Sequence, residues 1–216
     1  MATQVQDILD AAFGKSTKNK AGQIATAATE LLGVVKRALY RYFAVIARTN
    51  PWMIATEATV GFAAGGWARP TAAQMILRIE ETDGTEVVVV PLTDKIAEAS
   101  LPALYRLGRT FFPAGNANDP TSGDLDFIYA RFPTAPTLLT DSIDALWPEE
   151  FNECLIHDLA LYLATKDGRN DELPGLESER EAWEALLIQF CEHETSNERR
   201  RFGIRDRFIA PTKVPA

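Results

Sequence analysis

Hydrophobic residues recur every three or four positions over residues 23–48, and this spacing predicts one long helix. The proline of Asn50-Pro51 ends the helix, because the residue before a proline is disfavoured in the α conformation. A shorter helix is predicted over residues 5–13, followed by a polar, flexible linker over residues 14–20. The apolar positions of the long helix are Ile24, Ala28, Leu31, Leu32, Val35, Leu39, Tyr42, Phe43 and Ile46.

The pattern changes in the middle of the chain, where short segments rich in β-branched and aromatic residues alternate with Gly, Pro, Asp and Asn. Such segments predict four or five strands. Asp83-Gly84 is typical of a tight hairpin turn between two of them. Residues 113–124 are predicted to form an exposed loop. The predicted strands are residues 53–62, 75–80, 86–92, 104–112 and 125–132.

Helical periodicity returns near the C-terminal end. Pro148 suits the first position of a helix, and Glu149 and Glu150 suit the positive end of its dipole. We expect helices over residues 148–166 and 175–194, closed and joined by the polar residues 167–170 and packed antiparallel.

Together these elements predict an α+β, mainly helical fold. A long N-terminal helix and a C-terminal antiparallel helix pair are expected around a small antiparallel β region, with extended terminal arms. The predicted organisation is an N-terminal arm with a short helix (1–22), a core (23–195) and a basic C-terminal arm (196–216). Within the core, the β region spans residues 52–133.

Composition fits an ordinary globular protein, with 46% hydrophobic and 24% charged residues in 216. No apolar run approaches the roughly 20 residues that a membrane helix needs. The first residues lack the pattern of a signal peptide, so we expect synthesis in the cytosol. Two cysteines are too few for a disulfide scaffold.

Charge is distributed unevenly along the chain. The net charge is −8, but residues 198–216 carry six Arg or Lys and two acidic residues, which leaves +4 there and −12 in residues 1–197. An acidic body argues against general nucleic-acid binding, because duplex affinity comes mainly from Lys and Arg on phosphates.

Catalytic patterns are weak in this sequence. Gly14-Lys15-Ser16 resembles the end of a phosphate-binding loop, but Leu9 stands where that motif needs glycine. Acidic clusters, one beginning at Glu149 and one at Glu177, are better explained by helix-start stabilisation than by acid–base catalysis. No Gly-x-Ser-x-Gly pattern occurs. We therefore expect no enzyme activity and no cofactor.

The cysteines and histidines leave two interpretations open. Cys154, His157, Cys191 and His193 are of the residue types that bind zinc, and the first two share a helical face. Residues 191 and 193 point to nearly opposite sides of a helix, however. The alternative is a pair of small apolar cysteines in a helix interface with two ordinary histidines.

The basic C-terminal segment is the most suggestive interface candidate. Guanidinium groups make bidentate contacts, and interleaved aromatic residues can anchor in pockets. Nonspecific phosphate contact and a solvated, frayed end are the alternatives. The candidate docking residues are Arg199, Arg200, Arg201, Phe202, Arg205 and Phe208.

Several strings occur in an order that resembles the head-to-tail connector, or neck adaptor, family of tailed bacteriophages. The resemblance covers roughly residues 25–195. Its most specific part is the progression from a strand ending in Arg-x-Pro, through a loop, to a Pro-Glu-Glu-Phe helix start. The chain has Trp147 where a leucine often precedes that proline. The strings are Arg37–Tyr42, Pro51-Trp52, Leu125–Pro133, Leu138–Asp141, Trp147–Phe151 and Leu159–Ala164 with Lys166–Arg169.

The resemblance implies a structural virion protein that forms a ring, often of about twelve subunits, through heterologous interfaces. Such a ring joins the portal of the capsid to the tail or stopper protein and lets DNA pass without specific binding or membrane contact. The implied location is the virion neck, with assembly in the host cytoplasm. Another neck protein, such as a stopper or tail terminator, and a small α+β ligand-binding domain or enzyme remain alternatives.

Overall fold

The computed structural model describes residues 3–16, 28–91 and 101–201, with the side chains of the last helix described as far as residue 193. Over these ranges the protein is α+β, with about 45% helix and 25% strand. Short 3-10 helices, Pro51–Ile54 and Glu149–Phe151, precede the first strand and the third helix. The elements are α1 (Val5–Ser16), α2 (Ala28–Thr49), β1 (Ala55–Gly61), β2 (Trp67–Ala68), β3 (Ala73–Glu81), β4 (Val88–Val90), β5 (Ala103–Leu107), β6 (Thr110–Pro113), β7 (Asp124–Arg131), α3 (Asn152–Lys166) and α4 (Leu173–Arg201).

All four helices contribute to one hydrophobic core. Leu39 and Phe43 of α2 and Leu155 of α3 are fully buried there, and each such side chain stabilises the fold by roughly 2 kcal/mol. The rings of Phe151, before α3, and Phe190, late in α4, lie 5.2 Å apart. The end of α3 packs against the start of α4 through a separate small cluster, so the two helices run antiparallel.

Two sheets form the β region. One has the strand order β1-β7-β3, and the other has the order β2-β6-β5-β4. All pairs are antiparallel except β4 and β5, which are parallel. A second hydrophobic core, centred on Trp67, Phe111 and Phe127, fills the β region.

Strand β7 connects the two cores. Leu125, Phe127 and Tyr129 point into the β core, whereas Ala130 belongs to the helical core. Successive side chains of a strand point to opposite faces, so this alternation places the three-stranded sheet between the helices and the second sheet.

The N-terminal segment differs from the predicted arm. Val5, Ile8, Leu9 and Ala12 of α1 are buried in the helical core. The Val5 N–H donates to the Asp141 carbonyl at 3.0 Å, which fixes the start of the helix. Residues 3–16 are therefore part of the folded body, and residues 14–16 of the predicted linker are helical. Residues 17–27 lie outside the described residues.

The observed strands of the β region differ from the predicted strands in three places. The segment 104–112 is two strands, β5 and β6, because the chain reverses at Gly108, whose φ is +62°. β2 was not predicted, and residues 53 and 54, predicted as the start of a strand, belong to the 3-10 helix Pro51–Ile54. The turn at Gly84, with φ +85°, occurs as predicted, but β4 leaves β3 after it and joins the other sheet. Residues 92–100 are outside the described part of the chain.

The C-terminal helix is longer than predicted, since α4 continues to Arg201 and includes residues 196–201 of the predicted arm. No helix within the described ranges is both long and apolar enough to cross a membrane.

Candidate functional site

The predicted docking residues divide between two parts of the chain. Arg199, Arg200 and Arg201 lie in the last turn of α4. Phe202, Arg205 and Phe208 lie outside the described residues, so the docking hypothesis for this segment stays a prediction.

The four candidate zinc ligands are not arranged as one set. Cys154, His157 and Cys191 are buried, whereas His193 is exposed. Burial raises the pKa of the Cys154 thiol to about 12, so this cysteine is an unreactive part of the helical core. In the part of the chain that the structure describes, no three His, Cys, Asp or Glu side chains lie close enough together to hold a metal ion.

His157 instead lies in a charged cluster between three helices. Its Nε2 atom is 3.0 Å from Lys15 Nζ, 3.5 Å from Glu153 Oε2 and 3.4 Å from Glu179 Oε2. Burial and the neighbouring Lys15 charge lower the pKa of His157, against the opposing effect of the two glutamates. Lys15 also pairs with Glu153 at 2.5 Å. Lys15, which belongs to the segment that resembled a phosphate-binding loop, thus links α1 to α3.

The two predicted acidic clusters each contribute one carboxylate to a half-buried charged group around Arg41. Asp158 Oδ2 lies 3.0 Å from Arg41 Nη2, and Glu184 Oε2 lies 3.6 Å from the same nitrogen. Burial raises the pKa of Asp158, while Arg41 and Arg180 oppose that shift. The carboxylates therefore join α2, α3 and α4, which is a structural role.

A cleft of about 450 Å³ beside β3 is lined by three arginines. Arg69 follows β2, Arg78 lies in β3 and Arg106 lies in β5. The other walls are formed mainly by residues 74–79 and 86–89. We call this feature the arginine cleft.

The cleft exists because β3 and β4 diverge after the turn at Gly84. Close to the turn, the Val87 N–H donates to the Ile79 carbonyl at 2.9 Å. One residue later, the Val88 N–H donates to the Pro102 carbonyl at 2.9 Å, and β4 continues beside β5. Within the described residues, β3 and β4 are each the last strand of their sheet. Two strand edges therefore border one opening.

The arginine cleft has more positive than negative charge. Arg78 pairs with Glu80 at 2.5 Å, but no ion pair among the described residues includes Arg69 or Arg106. Arg69 Nη2 donates to the carbonyls of Ala73 and Gln74 at 2.8 and 2.7 Å. Burial, together with the charges of Arg106 and Arg109, lowers the pKa of Arg69. An anionic group would relieve this repulsion.

Apolar side chains are exposed at the same cleft. Met75, Val88 and Val89 keep 38%, 37% and 44% of their surface accessible. Sequence reasoning missed the cleft, because its arginines come from three separate segments and no local spacing relates them. No other signal was present in the sequence, since Arg37, Arg41 and Arg48 of α2 are spaced more closely than these arginines.

A second exposed feature is an aromatic pair, Tyr40 of α2 and Phe132 directly after β7. Their ring centroids are 5.9 Å apart, and each side chain is 40% exposed. Tyr40 belongs to the string Arg37–Tyr42, and Phe132 belongs to Leu125–Pro133. Folding therefore brings two of the strings that carry the neck-adaptor resemblance together at the surface.

Other residues of those strings are structural. Arg131 makes two bonds to Asp144, of 2.6 and 2.8 Å, and Tyr42 packs on Trp147. In comparisons with known proteins, no family model and no curated protein sequence matches this chain.

Proposed function

We propose that this protein is a structural component of the neck of a tailed bacteriophage, where it forms a ring between the portal and the tail and lets DNA pass. The observation that carries the proposal is the aromatic pair Tyr40–Phe132. Two of the strings that carry the neck-adaptor resemblance build it, and both rings are exposed. Exposed aromatic side chains that can be desolvated by a partner are typical of interface hot spots.

Each subunit has surfaces of different chemical character, and this supports the proposal of a ring. A closed ring uses heterologous contacts, in which one face of a subunit meets a different face of its neighbour. The aromatic pair is apolar, the arginine cleft is basic, and the start of α4 carries the exposed carboxylates Glu177, Glu179 and Glu181. Subunits with such different faces can associate head to tail with matched charges.

The finer features follow the neck-adaptor resemblance. We propose a ring of about twelve copies that binds the portal above and a tail or stopper protein below. The C-terminal segment from residue 196 would act as a docking arm, with Arg199–Arg201, Phe202, Arg205 and Phe208 as its contacts. The acidic body would keep DNA from adhering during passage.

The test is assembly of the purified full-length chain, alone and with portal rings from the same virion, followed by mass photometry and negative-stain electron microscopy. We expect rings, or rings that form on the portal. The double variant Tyr40→Ser, Phe132→Ser should reduce assembly, whereas Leu186→Ser, which changes a side chain of α4 that is 47% exposed and lies outside those strings, is the matched control. A chain that stays monomeric and does not bind the portal would refute the proposal.

A second candidate function, a ligand-binding domain, is favoured by the arginine cleft. Its volume lies in the range of small-molecule sites, and charged and apolar groups converge there. Retention of an anionic small molecule by the purified monomer, seen by native mass spectrometry, would favour this candidate over the ring.

A further inference from the structure

We infer that the arginine cleft binds an extended acidic segment of a partner protein, which adds as a strand between β3 and β4. The inference rests on the geometry of the cleft and holds whether or not the protein forms a ring. It identifies the ligand by its backbone conformation and by its charge.

Backbone groups are available at the β4 edge of the cleft. In a parallel pair, residues alternate between hydrogen bonding to one side and to the other. Val88 bonds towards β5 and Val87 towards β3, so the N–H and C=O of Val89 point away from β5, on the cleft side. Unpaired strand edges are templates for an added strand.

The side chains define the charge of the added segment. Arg69, Arg78 and Arg106 line the cleft, and the carboxylates near them are Glu86, in the wall, and Glu80, which already pairs with Arg78. The buried Nε atoms of Arg69 and Arg78 have no acceptor among the described residues. Carboxylates supply acceptors for such donors and make strong, often bidentate, bonds with arginine.

The apolar groups favour a peptide over a nucleic acid. Met75, Val88 and Val89 are exposed at the cleft and can contact alternate side chains of an added strand. Sites for single-stranded nucleic acids combine a basic groove with exposed aromatic rings on which the bases stack. Phe111 is the aromatic residue that lines the cleft, and it is only 1% exposed.

The experiment measures binding of a fluorescein-labelled peptide of about ten residues with alternating Glu and Val, by fluorescence anisotropy with the full-length protein. We expect saturable binding that weakens as salt is raised. Replacement of Glu by Lys should abolish it. N-methylation of alternate peptide groups should also abolish it, because the methyl groups remove donors to a strand edge. A single-stranded oligonucleotide of equal charge and inorganic phosphate should compete poorly.

Two protein variants test the two parts of the inference. Arg106→Gln should weaken peptide binding about tenfold, as expected for the loss of one charge-assisted contact. Val89→Pro removes an N–H on the cleft side and leaves the bond from Val88 to Pro102 in place, so it should weaken binding to a similar extent. Arg48→Gln, which changes an exposed arginine of α2, should have no effect. Circular dichroism and thermal unfolding establish that each variant is folded.

Several results would overturn the inference. They are absence of peptide binding, equal binding of the N-methylated peptide, preferential binding of the oligonucleotide, or unchanged affinity in Arg106→Gln. The N-methylated peptide tests strand addition even if Val89→Pro does not fold. Ring assembly is measured separately, so failure of peptide binding leaves the proposed neck function untouched, and failure of assembly leaves the cleft untouched.

Discussion

The helical core and the β region differ in how they satisfy their charged side chains. Among the helices, Arg41 pairs with Asp158 at 3.0 Å and Lys166 with Glu30 at 2.7 Å. In the β region, three arginines line one cleft, and no ion pair among the described residues includes Arg69 or Arg106.

The paired charges of the helices hold the fold together, whereas the arginines of the cleft are available to a partner. Buried side-chain atoms without a hydrogen-bond partner among the described residues occur in both regions, for example His157 Nδ1 in the helices and Arg78 Nε in the β region, so the contrast concerns the exposed charges. Proteins that depart from local consistency commonly do so at functional sites. The helical core therefore acts as the scaffold, and the β region carries the surface with unmet binding capacity. Four predictions test this division, in order of expected effect.

The largest effect is expected in the helical core. Phe43→Ala removes a fully buried ring that packs on Trp147, and it should lower the free energy of unfolding by about 3–5 kcal/mol. Tyr40→Ala, on the exposed side of the same helix, should cost much less. Urea denaturation measures both. Equal costs would contradict the assignment of α2 as the scaffold helix.

The next effect concerns Asp144, whose side chain is fully buried where β7 meets the helices. Asp144→Asn should cost about 2–4 kcal/mol at neutral pH, because Asp144 accepts bonds from Arg131 and from the N–H groups of Thr134 and Leu146. Although burial opposes the shift, these bonds lower the pKa of Asp144 below its ordinary value of 3.8.

The stabilisation by Asp144 is thus fully present above its ordinary pKa and is lost as the pH falls through the lower folded value. Chemical denaturation of wild type and Asp144→Asn across this range measures the difference. A difference that is unchanged at low pH would show that the charge of Asp144 is not responsible.

A smaller effect is expected at His157. Its pKa is lowered in the folded state, so the unfolded chain takes up a proton first and stability falls as the pH drops below about 6.5. His157→Gln should reduce this slope by up to about 1.4 kcal/mol per pH unit. The free energy of unfolding between pH 5 and pH 7.5 measures it, with His193→Gln as the exposed control. An unaltered slope would assign the pH dependence to other groups.

The smallest effect on stability is expected for the exposed arginines of the β region. Arg106→Gln and Arg109→Gln should change the free energy of unfolding by less than about 0.5 kcal/mol, since no described ion pair includes either residue. Thermal unfolding at matched salt concentration measures the change. A loss comparable to that of Asp144→Asn would remove the contrast between the two regions.

Much of the helical part was predictable because its signals are local. The periodicity of residues 28–48, the proline at 51 and the glycine at 168 depend on neighbours within a few positions, and α2, α3 and the turn after α3 match them closely. The burial of α1 was not predictable, since a short amphipathic helix does not specify which surface it contacts. β2 is only two residues long, which is too short to produce an alternating pattern.

By itself, the sequence determined the helices, the approximate positions of most strands, the acidic body and the order of strings that resembles neck adaptors. The pairing of the strands, the point where β3 and β4 separate, and the convergence of Arg69, Arg78 and Arg106 on one cleft are visible only after folding. The two kinds of interaction differ in their range along the chain. Helix periodicity and turn formation act over a few residues, whereas strand pairing and the convergence of like charges depend on segments that only folding brings together.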